Sequence, residues 1–157
     1  MSNSTSLAID QKDLDTILVL DFGSQYTQLI ARRVRELDVF SEILPWDISL
    51  EKIQALNPNG IILSGGPESV TGSNTPRIPE IVFDLDIPIL GICYGMQTLA
   101  EQFGGQVTSS KTKEFGHAEI IIEETSILFD GFSSGSSIDV WMSHGDHVST
   151  LPDQFNL

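Results

Sequence analysis

Cysteine is nearly missing from this chain of 157 residues, in which Cys93 is the only one. A single cysteine cannot form a disulfide within the chain, so the fold must depend on its apolar core and the thiol stays free in a reducing compartment. Long apolar runs and a signal-peptide pattern are missing too, whereas a membrane-spanning helix needs about 20 apolar residues. We therefore expect a cytoplasmic protein of one domain that does not contact a membrane.

Positive charge is also scarce. The chain has 8 lysines and arginines against 22 aspartates and glutamates, which gives a formal net charge of -14, and no lysine or arginine follows Lys113. Such a surface repels phosphate groups, so we expect neither a nucleic-acid partner nor an anionic membrane partner. Beyond this exclusion, a role in solubility explains the charge.

What is present is an alternation of strand and helix patterns over residues 15–157, after a polar stretch over residues 1–14 that is typical of a disordered tail. Apolar runs predict strands over residues 16–22, 39–44, 60–63 and 87–92. Helical spacing predicts helices over residues 24–37, 49–56 and 94–103, and a short apolar-periodic segment over 78–85. The alternation is typical of parallel strands with right-handed crossovers, whose active sites lie beyond the carboxyl ends of the strands.

Two finer expectations concern the first helix and the second half of the chain. The first helix is expected to start at an N-cap Ser24 and to bury an apolar face. That face consists of Tyr26, Leu29, Ile30, Val34 and Leu37. The second half has strand patterns without a helix between them, which predicts antiparallel strands added to the edge of the sheet. These patterns cover residues 106–108, 117–123 and 138–142.

Cys93 lies where an apolar strand pattern passes directly into a helical one, in the run PILGICYGMQ over residues 88–97. A tight strand-to-helix turn of this kind is a nucleophile elbow, and it requires small neighbours, which Gly91 and Gly95 supply. The N-terminus of the following helix favours a thiolate, so a reactive cysteine is expected. The alternative is a small apolar residue buried at the end of a strand.

Two other segments are candidates for the same site. Ser64-Gly65-Gly66-Pro67 follows the strand before Cys93, and its amides can form an oxyanion hole together with the amide of Tyr94, although a plain glycine turn is the alternative. Residues 141–147, WMSHGDH, place two histidines beside an aspartate. His144 or His147 is a candidate base for Cys93. A metal site is not expected, because no third ligand is evident.

Four segments together resemble the class I, triad-type glutamine amidotransferases. They are ILVLDFGSQYTQLIARRVRE at 17–36, ILSGGPESV at 62–70, PILGICYGMQ at 88–97 and VWMSHGDHV at 140–148. All class I members share the cysteine elbow and the GGP turn, whereas DFGSQYTQLIARRVRE and WMSHGD are typical of the GMP synthetase branch. The resemblance implies an α/β, flavodoxin-like sheet, mostly parallel with added antiparallel strands and with helices on both faces.

The resemblance also implies a reaction. L-Glutamine is hydrolysed to glutamate and ammonia through a thioester at Cys93, while the amides of Gly66 and Tyr94 form the oxyanion hole. The residues implied to hold the glutamine are Gly65, Gln97, Ser143, Gly145 and Asp146. This part has no cofactor, whereas a synthetase domain of the same full-length chain uses ATP and magnesium to convert xanthosine 5'-monophosphate to GMP, and the full-length enzyme is expected to be a homodimer.

The family's triad is completed by a His-Pro-Glu motif downstream of the SHGD segment, and this sequence does not contain it. We therefore expect a partial amidotransferase domain that is inactive by itself and has an exposed sheet edge. A competing hypothesis is a non-catalytic module that binds glutamine for regulation. Another is a different cysteine-elbow enzyme or chaperone, against which the Gly65-Gly66 turn and the SHGD segment argue.

Overall fold

The computed structural model describes residues 15–157, except for the side chains of residues 110–114 and of residue 144. The tail predicted over residues 1–14 lies outside the described residues. The described residues form a parallel sheet of four strands and a separate antiparallel sheet of two strands. The α/β fold class predicted from the sequence is confirmed.

The parallel sheet carries most of the core. Its strands are β1 (Thr16–Asp21), β2 (Phe40–Pro45), β3 (Gly60–Leu63) and β4 (Ile89–Gly91), in the spatial order β2-β1-β3-β4. The central strand β1 is an apolar run rather than an alternating one because helices and loops cover both of its faces, and its Leu18, Val19 and Leu20 are fully buried. All four predicted strands are present, although β4 is shorter than predicted.

The order of the strands creates the crevice in which the site lies. Helix α1 (Thr27–Arg35) connects β1 to β2, and helix α2 (Leu50–Leu56) connects β2 to β3. These connections run in opposite directions across the sheet, so right-handed crossovers place α1 and α2 on opposite faces. The loops that follow β1 and β3 therefore diverge at the carboxyl edge, which is where open α/β sheets bind ligands.

The remaining elements of this half lie close to the crevice. A 3-10 helix covers Glu80–Leu85, where the apolar-periodic segment was predicted, and helix α3 covers Tyr94–Gln102. Side chains from one face of the sheet, from these helices and from the connecting loops form one core cluster. Its buried members are Leu18, Leu20, Phe22, Ile48, Ile53, Ile61, Leu63, Val70, Ile78, Val82, Tyr94 and Leu99.

The prediction for the start of α1 is wrong. Ser24 is not an N-cap: its hydroxyl accepts a hydrogen bond from the amide of Tyr26 at 3.0 Å, and the helix begins only at Thr27. The carboxylate of Asp21 holds this turn instead, because its Oδ1 accepts hydrogen bonds from the Gly23 amide at 2.9 Å and the Thr27 hydroxyl at 2.8 Å.

The buried face of α1 also differs from the predicted one. Thr27 and Ala31 are its buried residues, whereas Tyr26, Leu29 and Leu37 are 57%, 46% and 77% exposed. The reason is a close approach of the helix to the sheet: the buried Ser41 hydroxyl of β2 donates a hydrogen bond to the Ala31 carbonyl at 2.9 Å. Small side chains fill the closest contact at that separation, while Ile30 and Val34 of the predicted face are half-buried beside it.

The second half of the described chain forms an antiparallel ribbon. Strands β5 (Gln106–Ile121) and β6 (Ser137–Thr150) pair with each other, and a 3-10 helix covers Ile127–Phe129 between them. The predicted strand segments lie within or overlap these longer strands. However, the prediction that these strands extend the edge of the parallel sheet is wrong, because β5 and β6 pair only with each other. Among the described residues, β4 remains an edge of the parallel sheet.

No helix in the described residues has the length and apolarity that crossing a membrane requires.

Candidate functional site

Two cavities meet at Cys93. The larger one, of about 620 Å³, is bounded by the turn after β1, the Gly65-Gly66-Pro67 turn after β3, and Trp141 of β6; we call it the Trp141 cavity. The smaller one, of about 320 Å³, lies between the same glycine turn, α3 and the ribbon; we call it the Asp146 cavity. Residues that line both are Gly66, Pro67, Cys93 and Ser143. Cys93 therefore lines both the Trp141 cavity and the Asp146 cavity.

The structure brings together all eight site residues that the sequence suggested. Seven of them line the Asp146 cavity, and Gly65 lines the Trp141 cavity. The seven are Gly66, Cys93, Tyr94, Gln97, Ser143, Gly145 and Asp146. They come from the ends of β3 and β4, from α3 and from β6, so the crevice of the sheet and strand β6 of the ribbon line one cavity.

The turn at Cys93 has the geometry predicted for an elbow. Cys93 has φ 49° and ψ -112°, a conformation that costs a residue with a side chain of order 1–3 kcal/mol, and α3 begins at the next residue. Both flanking glycines are needed for steric reasons. A Cβ at Gly91 would lie 2.6 Å from Cα of Met96, and one at Gly95 would lie 2.4 Å from the carbonyl oxygen of Leu63.

The thiol differs from expectation in its acidity. The sequence favoured a thiolate because of the helix N-terminus, but partial burial raises the pKa of the Cys93 thiol above its ordinary value of about 8.5. The neutral thiol therefore predominates at neutral pH. A nucleophilic reaction at this residue requires a base that removes the proton.

This shift predicts how alkylation depends on pH. Iodoacetamide reacts with the thiolate, so its rate of reaction with folded Cys93 is expected to keep rising with pH through about 8.5. At pH 7.5 the folded chain is expected to react more slowly than the chain unfolded in urea, because its thiolate fraction is smaller. Stopped-time alkylation with mass spectrometry measures this, and a rate that levels off below pH 8 would contradict the raised pKa.

Two backbone amides beside Cys93 lack a hydrogen-bond acceptor among the described residues. Within the described part of the chain, the amides of Gly66 and Tyr94 do not donate a hydrogen bond to any acceptor. The neighbouring Gly95 amide, by contrast, bonds to the Ser64 carbonyl at 3.0 Å. Paired amides beside a nucleophile are the arrangement that stabilises an oxyanion in acyl transfer.

Ser64 fixes this arrangement, and the sequence patterns gave it no separate role. Its side chain is fully buried, its hydroxyl accepts a hydrogen bond from the Phe22 amide at 3.0 Å, and it donates one to the Gly65 carbonyl at 2.9 Å. Ser64 thereby joins the end of β1 to the glycine turn. The only signal in the sequence is a hydroxyl residue that directly follows a buried strand.

Tyr94 has a second function in the structure, through its side chain. The ring is buried and lies 5.5 Å from the ring of Phe22, and the phenol donates a hydrogen bond to the Pro76 carbonyl at 2.5 Å. Burial raises the pKa of this phenol. Arg77 forms an ion pair with Glu101 and also donates to the Val70 carbonyl. These contacts hold the segment after the glycine turn against α3.

The Asp146 cavity is built around an acidic group with defined partners. Oδ2 of Asp146 accepts a hydrogen bond from the Ser69 hydroxyl at 2.5 Å, and Oδ1 accepts one from the Ser109 hydroxyl at 2.8 Å. The carbonyl of Asp146 accepts a hydrogen bond from Nε2 of the buried Gln97 at 2.9 Å. Glu68 also lines this cavity, and none of its described lining residues is a lysine or arginine. The cavity therefore attracts a cationic group.

No described histidine side chain lies beside the Cys93 thiol. His147 is exposed, its Nε2 lies 3.2 Å from the Thr108 hydroxyl, and it lines neither cavity. The side chain of His144 lies outside the described residues. His117 pairs with Asp139 at 2.9 Å on the exposed surface of the ribbon. Among the described residues, no three histidine, cysteine, aspartate or glutamate side chains are grouped as a metal site would need.

Comparison with known proteins agrees with this geometry. The family profile described as "Glutamine amidotransferase class-I" matches residues 18–157. Among curated proteins, the chain is 56% identical over 146 residues to the GMP synthase (glutamine-hydrolyzing) of Histophilus somni and 57% identical over 147 residues to that of Teredinibacter turnerae. Each match covers 90% of this chain but 28% of the relative. The chain thus spans somewhat more than a quarter of the length of these relatives.

A solved structure has the same fold. The crystal structure of a GMP synthase subunit protein from Thermoplasma acidophilum superposes with a TM-score of 0.75 at 34% sequence identity. The match covers 92% of this chain and 71% of the other. The family profile extends over the cysteine elbow, the glycine turn and the ribbon. This chain belongs to the class I glutamine amidotransferase family.

Proposed function

We propose that the chain is the glutamine-hydrolysing part of a GMP synthase and that Cys93 is its nucleophile. One observation carries the proposal: the strained Cys93 lines a cavity together with two amides that have no acceptor among the described residues and with an acidic group that is held in place. This combination suits a substrate with a carbonyl at one end and a cation at the other. L-Glutamine has both, in its side-chain amide and its α-ammonium group.

The proposed reaction proceeds in two steps. Sγ of Cys93 attacks the side-chain amide carbon, the carbonyl oxygen becomes an oxyanion held by the amides of Gly66 and Tyr94, and the carbon-nitrogen bond breaks as the nitrogen takes a proton and leaves as ammonia. Water then attacks the thioester, which releases glutamate and restores the thiol. The balance is one glutamine and one water for one glutamate and one ammonia.

Recognition of the substrate is proposed to follow the charges of the Asp146 cavity. The carboxylate of Asp146 accepts the α-ammonium group, and Gln97 supports Asp146 through its backbone carbonyl. Gly65, Ser143 and Gly145 complete the wall against which the substrate lies. This assignment explains why two carboxylates, Glu68 and Asp146, face one small cavity without a lysine or arginine in its described lining.

The wider role of the chain is proposed from its relatives. Since GMP synthases of this kind are described as glutamine-hydrolyzing and the chain matches 28% of their length, the ammonia is proposed to serve a synthetase domain that uses ATP and magnesium to convert xanthosine 5'-monophosphate to GMP. The full-length enzyme is proposed to be a cytoplasmic homodimer. The alternative, a module that binds glutamine without turnover, is favoured by the absence of a base among the described side chains of the site.

A diazo ketone analogue of L-glutamine tests the proposed function, because it alkylates a nucleophile only from within a glutamine site. Alkylation is expected at Cys93, with a rate that saturates as the analogue concentration rises. L-Glutamine is expected to protect the thiol, whereas D-glutamine is not. Mass spectrometry identifies the modified residue, and Cys93→Ala is the control. Labelling that is no faster than in the urea-unfolded chain would show that no glutamine site exists here.

A further inference from the structure

Ser69 lies at a position that the reaction itself does not need. It follows the glycine turn, it is half-buried in the wall of the Asp146 cavity, and its hydroxyl donates to Oδ2 of Asp146, which is 77 residues away in the sequence. We infer that Ser69 is a positioning residue that sets the Asp146 carboxylate for the α-ammonium group of the substrate. This inference rests on the proposed function.

The direction of the hydrogen bonds around Ser69 follows from their chemistry. An ionised carboxylate can only accept, so the single hydroxyl proton of Ser69 points to Asp146. The oxygen of Ser69 lies 2.8 Å from the Thr71 hydroxyl, and Thr71 must therefore donate to it. The amide of Thr71 also points to this oxygen, at 3.3 Å. The hydroxyl and the amide of Thr71 thus both donate to the Ser69 oxygen, and the Ser69 proton is directed to Asp146.

Ser69 connects the two ends of the proposed substrate site. It belongs to the segment that begins with the Gly65-Gly66-Pro67 turn, and Asp146 belongs to β6 of the ribbon. The second partner of the carboxylate, Ser109, is an exposed residue of the ribbon itself. Ser69 is therefore the partner that sets the distance between the amide of Gly66 and the carboxylate of Asp146. That distance must match the length of the substrate.

The inference predicts that loss of the Ser69 hydroxyl affects ligand binding but not the chemical step. Loss of the Ser69 hydroxyl leaves the thiol and both amides in place but frees one oxygen of the carboxylate that receives the ammonium group. Binding of ligands with an α-ammonium group should weaken, whereas the chemical step at Cys93 should not change. A purely structural role would weaken all ligands equally or change the chemical step.

The experiment compares Ser69→Ala with the wild-type chain in its reaction with three electrophiles. These are the diazo ketone analogue of L-glutamine, the same diazo ketone without the α-amino group, and iodoacetamide. For Ser69→Ala and the first reagent, the half-saturating concentration is expected to rise about 5- to 30-fold, as for a weakened hydrogen bond to a charged group, with the maximal rate within about twofold. The other two reagents should react as with wild type.

Two further variants complete the design. Ser69→Thr keeps the hydroxyl, so its half-saturating concentration of the analogue is expected to be near that of wild type. Ser149→Ala is the matched control, because it also removes a hydroxyl that bonds within the ribbon, to the Gln106 carbonyl, but lines neither cavity. Its reaction with the analogue is expected to be unchanged.

The outcomes separate the two proposals. If wild type shows saturation and protection by L-glutamine but Ser69→Ala has an unchanged half-saturating concentration, the inference about Ser69 is wrong and the proposed function stands. The inference is also wrong if Ser69→Ala reacts less well with the diazo ketone that lacks the α-amino group. If the wild-type chain shows neither saturation nor protection, the proposed function fails and the inference fails with it.

Discussion

Glutamine turnover by this chain is expected to be about 10²- to 10⁴-fold slower than turnover by a full-length GMP synthase relative, because a positioned general acid-base is usually worth that factor. Burial raises the pKa of the Cys93 thiol, so a base has to remove its proton, and no described histidine lines either cavity. Ammonia must also receive a proton as it leaves. Coupling of the released glutamate to a dehydrogenase measures the turnover.

A base that the described side chains of the site do not provide can be supplied from solution. The Trp141 cavity is about 620 Å³ in volume and borders Cys93, so added imidazole has room beside the thiol. We expect turnover to increase with imidazole concentration in the wild-type chain but not in Cys93→Ala. His144→Ala and His147→Ala are the control variants, and neither is expected to change the slow rate. Rapid turnover without imidazole, lost in one of these two variants, would contradict the prediction and identify that histidine as the base.

Replacement of Gly95 by alanine is expected to lower the free energy of unfolding by about 3 kcal/mol or more, as for severe overpacking in a core. The new Cβ would lie 2.4 Å from the carbonyl oxygen of Leu63 and 2.5 Å from its Cβ, and Leu63 is fully buried in β3. Neither atom belongs to a flexible side-chain end, so α3 would have to move away from the sheet. Urea unfolding followed by circular dichroism measures the loss.

Gly65→Ala is the matched control, because this glycine borders the same site. A Cβ there would meet its nearest atoms, in Cys93 and Ser24, at 3.5 Å, which is ordinary van der Waals contact. Its free energy of unfolding is expected to change by less than about 1 kcal/mol. Equal stability of the two variants would show that α3 does not press against β3 at Gly95 and would contradict the elbow geometry.

The elbow was predictable because its determinants are adjacent in the sequence. An apolar run, a cysteine between two glycines and a helical pattern follow one another within residues 88–97, and each restricts the backbone of its neighbours. The effect of burial on the thiol, which raises its pKa, was not predictable in this way. The helix N-terminus is a local feature that the sequence shows, whereas burial of Cys93 depends on loops that arrive from elsewhere.

The position of α1 shows a different limit. Of the five residues predicted to face the core, Ile30 and Val34 are half-buried. Tyr26, Leu29 and Leu37 are exposed, because the helix packs most closely through the small side chains of Thr27 and Ala31. Periodicity reports which side chains are apolar and not how closely two elements approach. The hydrogen bond from Ser41 to the Ala31 carbonyl sets that distance, and it joins residues on different elements.

By itself, the sequence determined the α/β class, the order of the parallel strands along the chain, the turn at Cys93 and the family to which the chain belongs. These features depend on residue patterns within about ten positions. Only the tertiary structure decided that the ribbon forms its own sheet, that Ser64 joins the strand ends, and that Ser69 and Ser109 hold Asp146. Those contacts join residues 37 to 77 positions apart, and such pairings depend on how the elements pack rather than on local patterns.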